Sequence, residues 1–238
     1  MHIQSIQKIT AWGKSSLSQD SWDWLLRQKE LIQVKPERLF SSFSLCPRKC
    51  PSIKPQNPVS SNHIKWNSST LSRALFLHEI NIDQDQFKEL FLCADHGESI
   101  DLYLLLPSVE DLPRESKLRQ LQEGLRSNST SIFEACAMGS AWPSTILEND
   151  PWNQMVLKTL FLGLNPLHIP EQASRKNPEL DQMLLRFASE RAFASRSVPE
   201  ELWSCFSGTL KDEALVEIQR LIDEHPNKKF CEQLKLFI

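Results

Sequence analysis

Asp150-Pro-Trp-Asn-Gln-Met-Val-Leu-Lys-Thr-Leu-Phe-Leu-Gly163 carries its own start and stop signals, and its reading decides how the rest of the chain folds. Asp150 can cap a first turn, Pro151 stands where a missing N–H costs nothing, and Gly163 can close the end in a left-handed turn. Trp152, Met155, Val156, Leu157, Leu160, Phe161 and Leu162 leave almost no polar face, which predicts a helix inside the domain. Asn153, Gln154 and Lys158 are then the awkward residues, because a buried amide or ammonium needs partners from other elements.

Helical periodicity continues on both sides. Ile3, Ile6 and Ile9 share one face of a short segment that Trp12-Gly13 ends. Trp22, Trp24, Leu25, Leu26, Leu31 and Ile32 mark a helix from Ser18, and Pro36 starts another through Leu39, Phe40, Phe43 and Leu45. Prolines 47, 51, 55 and 58 make Cys46 to Trp66 the one long irregular connection. Trp66 to Ile80 is helical again. Asp83 with Gln86 forms a capping box that opens a helix through Phe87, Leu90, Phe91 and Ala94, and a break at Gly97 separates it from Ile100 to Leu106. Leu118, Leu121 and Leu125 mark the next helix, followed by Asn128 to Met138 with a small-residue face suited to close packing.

After Gly163, Asn177-Pro178 starts a helix reaching about Arg196, and Pro199 opens a short one. Leu210 to Ile222 is amphipathic, and Phe230, Leu234 and Phe237 mark a last helix. There is no Asn-Gly hairpin signal and no long β-branched alternation. The fold class is therefore all-α: stacked antiparallel helix pairs, α-α superhelix-like, in a single domain. Residues 1–65 hold N-terminal helices and the proline-rich loop, 66–206 the helical core, and 207–238 C-terminal helices packed on that core.

The formal charge is −3, from 27 basic and 30 acidic residues among 238, which argues against broad attraction to nucleic acid or anionic lipid. No apolar run approaches the roughly 20 residues of a membrane span, and Met1 to Ser18 lacks an apolar signal-peptide core, so a cytoplasmic protein is expected. Of six cysteines only Cys46 and Cys50 are close, without a second Cys/His pair in register, so they read as reduced core thiols. Asp95-His96-Gly97-Glu98 resembles a metal cluster only superficially, because adjacent residues on a helix point apart. No metal, cofactor or catalytic residue is assigned. Phosphate loops, Gly-x-Ser-x-Gly and His-Glu-x-x-His are absent from the sequence.

Several polar residues need an explanation. Asp95, Glu98 and Asp101 are spaced by three and would line up if one helix ran through Gly97. Arg126, Asn128 and Glu134 cluster around one helix entry; Arg175 and Asn177 sit at another; Glu190, Arg191 and Arg196 follow. In one reading these groups tie helix layers together as buried ion pairs. In the other they join Asn153, Gln154 and Lys158 around a pocket for a small molecule, walled by Trp142, Trp152, Phe187 and Phe193.

Arg126-Ser-Asn128, Phe133-Glu-Ala-Cys-Ala137, Trp152-Asn-Gln-Met-Val-Leu-Lys158, Arg175-Lys-Asn177 and Ser189-Glu-Arg-Ala-Phe-Ala-Ser-Arg196 together resemble the EboA family, over roughly Trp66 to Phe206. Asp95 with Glu98 also matches its pattern. The chain departs from the usual pattern at Ser127, at Ser140-Ala-Trp-Pro143, and in Ser189 to Arg196, where a His and a Trp are replaced. The family is associated with microbial gene clusters that move secondary metabolites out of the cytoplasm, including scytonemin precursors. The resemblance implies an accessory factor in metabolite processing or export, at the inner face of the membrane or free in the cytoplasm, with cluster proteins such as a UbiA-like prenyltransferase as partners.

On this basis the expected ligand-binding residues are Asp95, Glu98, Arg126, Asn128, Glu134, Trp152, Asn153, Gln154, Lys158, Arg175, Glu190, Arg191 and Arg196, around an aromatic or prenylated metabolite. Two rival readings stay open. In one, helix pairs dock other cluster enzymes and the same residues are structural. In the other, Asp95/Glu98 or Glu134 acts as acid or base beside Lys158.

Overall fold

The computed structural model describes residues 3–51, 66–79, 82–109, 112–207 and 212–235. Among them every regular element is helical, so the chain is all-α. It forms two compact units, Met1–Ser140 and Ala141–Ile238. No described helix is long and apolar enough to cross a membrane.

The first unit opens with α1 (Ile3–Ser16) and α2 (Gln19–Val34), the latter capped by Ser18, whose hydroxyl accepts from the Ser21 N–H. The expected stop at Trp12-Gly13 does not occur. A Cβ on Gly13 would come within 2.9 Å of the Trp22 ring, so the glycine serves the approach of the second helix and the first runs on past it. The third helix, α3 (Arg38–Lys49), likewise continues beyond Cys46 with Pro47 inside it. The expected irregular connection therefore begins later, and most of it, residues 52–65, lies outside the described residues, as do Ile80, Leu210 and Phe237.

Next comes α4 (Ser68–Glu79), which packs against α1, α2 and α3. Every residue of it from Ser68 to Leu77 is buried. The Asp83–Gln86 capping box is present and opens α5 (Gln84–Cys93). The following break falls at Ala94-Asp95 and not at Gly97, because Asp95 takes extended backbone and makes its own capping box with Glu98. Helix α6 (His96–Leu105) thus runs through Gly97, and a short 3-10 turn, Leu106–Ser108, follows it.

Helices α7 (Arg114–Arg126) and α8 (Thr130–Met138) complete the unit, with α8 packed on both α6 and α7. A glycine of α7 makes its approach to α8 possible. A Cβ on Gly124 would lie 2.3 Å from Cys136 Sγ and 2.5 Å from the Tyr103 ring, so no larger residue fits there. Each of the six cysteines is a free thiol, and all but Cys93 are buried.

The second unit begins with α9 (Trp142–Ile146) and α10 (Asn149–Phe161). Helix α10 starts earlier than its sequence signals imply: Glu148 takes the capping position and Asp150 lies in the first turn, accepting from Gln154 Nε2 at 3.1 Å. Gly163 does adopt the left-handed conformation, with φ 72°. The expectation that α10 is internal all round is not met. Trp152, Asn153, Met155, Val156, Thr159 and Leu160 are buried, whereas Gln154 is exposed and Phe161 is 70% exposed. Its apolar residues cover more than one face, but the unit covers only one.

Two 3-10 turns, Pro166–His168 and Gln172–Arg175, lead to α11 (Pro178–Phe193). Asn177 caps it, accepting from the Leu180 N–H at 2.9 Å. The helix ends at Phe193, short of Arg196, where Ser195 takes φ 56°. A 3-10 helix Glu200–Cys205, then α12 (Asp212–Glu224) and α13 (Lys228–Leu234), close the unit, with α12 packed on α11.

Candidate functional site

The sequence of α4 is rich in hydroxyls, yet the helix is dry from Ser68 to Leu77 because those hydroxyls find partners within the helix and on neighbouring elements. Ser72 Oγ donates to the Ser68 carbonyl at 2.8 Å, and Ser68 Oγ donates to the carbonyls of Cys50 and Pro51. Asn67 Oδ1 accepts from the Thr70 N–H and the Ser69 hydroxyl. The remaining demand comes from Arg73, a guanidinium only 3% exposed.

Three elements meet that demand. Pro47 has no N–H to offer the Phe43 carbonyl four residues earlier, and that carbonyl accepts from Arg73 Nε at 3.1 Å instead. The guanidinium also lies over the Phe43 ring, 4.8 Å from its centroid. From α6, Asp101 pairs with Arg73 Nη1, and Glu98 lies 3.5 Å from Nη2. Thr70 Oγ1 donates to Asp101 Oδ1 at 2.7 Å. Glu98 has a second task, since its carboxylate accepts from the Asp95 N–H at 2.9 Å while the Glu98 N–H donates to Asp95 Oδ1 at 2.7 Å.

Two buried carboxylates thus face one buried guanidinium. Burial pushes the Asp101 carboxyl above the usual carboxylate range, and Arg73 and the Thr70 hydroxyl pull it only partly back. Burial also raises the Cys46 thiol well above its ordinary value, against the opposing effect of Arg73.

Over this network opens a cleft of about 490 Å³. The buried Arg73 and Asp101 both line it. Asn67 and Ser69 at the start of α4 and Asp95, His96 and Gly97 at the start of α6 line it as well, and Ile100 and Pro47 are its apolar members. Its volume lies in the range of small-molecule sites.

The expected site residues divide between the units. In the first, Asp95 lines the cleft and Glu98 lies 3.5 Å from the cleft-lining Arg73, whereas Arg126 is 70% exposed and pairs with Glu123 at 3.1 Å. Asn128 is exposed and Glu134 half-buried.

In the second unit Trp152 is fully buried, with the Arg175 guanidinium 4.9 Å from its ring centroid. Arg175 donates to the carbonyls of Ser144 and Leu147 and to Asn149 Oδ1, closing the end of α9 against the start of α10. Asn153 and Asn177 form a reciprocal amide pair, with N···O distances of 3.0 and 2.9 Å. Gln154 faces outward and Lys158 is half-buried. Glu190 is exposed; Arg191 lies over Phe187 and donates to the Ser197 carbonyl at 2.7 Å. Arg196 is exposed beside a smaller recess of about 300 Å³, lined also by Glu200, Asn227 and Lys229.

Arg73, Asp101 and Thr70 are not among the expected ligand-binding residues. Asp101 was within reach through its spacing from Asp95 and Glu98. The signal for Arg73 was a single cation inside Leu71-Ser-Arg-Ala-Leu-Phe-Leu77, together with a helix-interior proline four residues after Phe43.

No curated protein and no solved structure matches the chain. The family described as "Metabolite traffic protein EboA" matches it over residues 5–207, which extends the resemblance back from Trp66 into α1 and takes in the whole cleft. The chain belongs to the EboA family.

Proposed function

We propose that this chain is a non-enzymatic accessory factor that binds a small aromatic or prenylated metabolite during its processing or export, and that the cleft over Arg73 is where it does so. The observation that carries this reading is the cleft itself. An open recess of ligand size lies directly on a buried, incompletely balanced polar network inside the family-matched stretch. Ile100 and Pro47 offer a surface to a flat or branched hydrocarbon body, while Asp101, Arg73 and Ser69 offer hydrogen bonds to its polar end.

Gly97 supplies the test. Gly97 lines the cleft and a Cβ there would meet only Asp95 Oδ1, at 3.5 Å, so there is room for a side chain, and most residues other than proline favour the helix over glycine. Saturation-transfer NMR against a panel of indoles, phenols and prenylated aromatics is expected to give binders for the wild-type chain. Gly97→Phe should lose them while keeping the thermal midpoint. A wild-type chain that binds nothing in the panel, or a Gly97→Phe variant that binds as well as wild type, contradicts the reading.

A further inference from the structure

The charge and hydrogen-bonding capacity around the cleft define the polar end of its ligand more narrowly than its volume does. Asp95 and Asp101 both line it, and Glu98 lies immediately behind in contact with Arg73. Against these three carboxylates stand one guanidinium, three of whose five N–H groups already serve Phe43, Asp101 and Glu98, and the His96 imidazole, whose Nε2 is engaged with Ser131 Oγ at 3.0 Å. The Asp carboxylates keep more acceptor capacity than they use. Asp101 takes one bond on each oxygen, from Thr70 and Arg73, and Asp95 takes one on Oδ1 from the Glu98 N–H. The positive ends of α4 and α6 offset part of this charge without reversing it.

Resting on the proposed reading of the cleft as a metabolite site, we infer that it selects ligands whose polar end is a protonated amine and rejects carboxylates and phosphates of the same shape. An ammonium brings donors and positive charge to the unused acceptors. An anion would have to displace Asp101 from Arg73 or sit beside two like charges in a partly desolvated space. The apolar wall of Ile100 and Pro47 then takes the hydrocarbon part, so the class is a small aromatic or prenyl amine.

Calorimetric titration of the full-length chain at pH 7 with a matched trio sharing one ring tests this: tryptamine (cationic), ethylindole (neutral) and indolepropionate (anionic). Tryptamine should bind at least about tenfold more tightly than indolepropionate, with ethylindole between them. Asp95→Asn keeps a good capping residue but removes one charge. It should reduce the preference for tryptamine by about three- to tenfold with the thermal midpoint retained, and added salt should reduce it further. Equal binding of all three, or an Asp95→Asn variant with the full wild-type preference, overturns the charge selection and leaves the cleft reading standing. Tighter binding of indolepropionate overturns it in the opposite sense and marks Arg73 as the recognising group. Binding of none of the three removes the cleft reading and the selection with it.

Discussion

Helices α4 and α10 invert what their sequences suggest. The first reads Ser-Ser-Thr-Leu-Ser-Arg-Ala-Leu-Phe-Leu over residues 68–77 and is buried on every side. The second reads almost continuously apolar and keeps one face open, with Phe161 70% exposed. The difference lies in how polar groups are satisfied. Short hydroxyls bond back to carbonyls one turn earlier or to neighbouring loops, so they enter a dry interior at little cost. Long polar groups such as Gln154 turn outward unless something holds them. Composition alone ranks the two helices in the wrong order.

The largest effect should come from breaking the network in α4. Arg73→Met leaves the Asp101 and Glu98 carboxylates buried without their cation and is expected to cost about 3–5 kcal/mol in denaturant unfolding. A loss below about 1 kcal/mol would mean that α4 is not the polar hub. In α10 the corresponding change is Asn153→Ala, which removes one half of the reciprocal amide pair and leaves Asn177 short of its partner. A smaller loss, about 1–3 kcal/mol, should follow.

Titration sharpens the comparison further. The folded-state pKa of Asp101 is raised, so the folded chain holds that proton more tightly than the unfolded one. Its contribution to stability is therefore fully present below the ordinary aspartate value and is lost as pH rises through the raised value. The stability difference between wild type and Asp101→Asn should shift in favour of wild type as pH falls through that window. A pH-independent difference would show that Arg73 fully offsets the burial of Asp101. The smallest effect belongs to the exposed side of α10, where Gln154→Ala should change stability by less than about 0.5 kcal/mol.

Much of the fold was legible because helix ends are written in local chemistry. Ser18, the Asp83–Gln86 box, Asn177-Pro178 and Gly163 each act within a few residues of where the sequence places them. The displaced boundaries share a cause that is not local. Gly13 yields to Trp22 from another helix, and Pro47 is tolerated because Arg73 uses the carbonyl its missing N–H leaves open. The candidate site was legible only in part for the same reason. Asp95 and Glu98 signal each other at a spacing of three, whereas the tie from Arg73 to Asp101 spans 28 residues and depends on packing. In the string Trp152 to Lys158 the polar residues Asn153, Gln154 and Lys158 interrupt an otherwise apolar run. Two of its members, Trp152 and Asn153, are engaged with Arg175 and Asn177 in holding the second unit together.

The central contrast is between the binding cleft proposed over α4 and the structural role proposed for the polar string of α10. It is tested most directly by titrating whichever compound of the indole trio binds wild type into Gly97→Phe and Lys158→Ala, with thermal midpoints measured alongside. The account predicts that Gly97→Phe abolishes binding and Lys158→Ala leaves the affinity unchanged, both folded as wild type. Retained binding in Gly97→Phe with loss in Lys158→Ala would contradict it and move the site to α10.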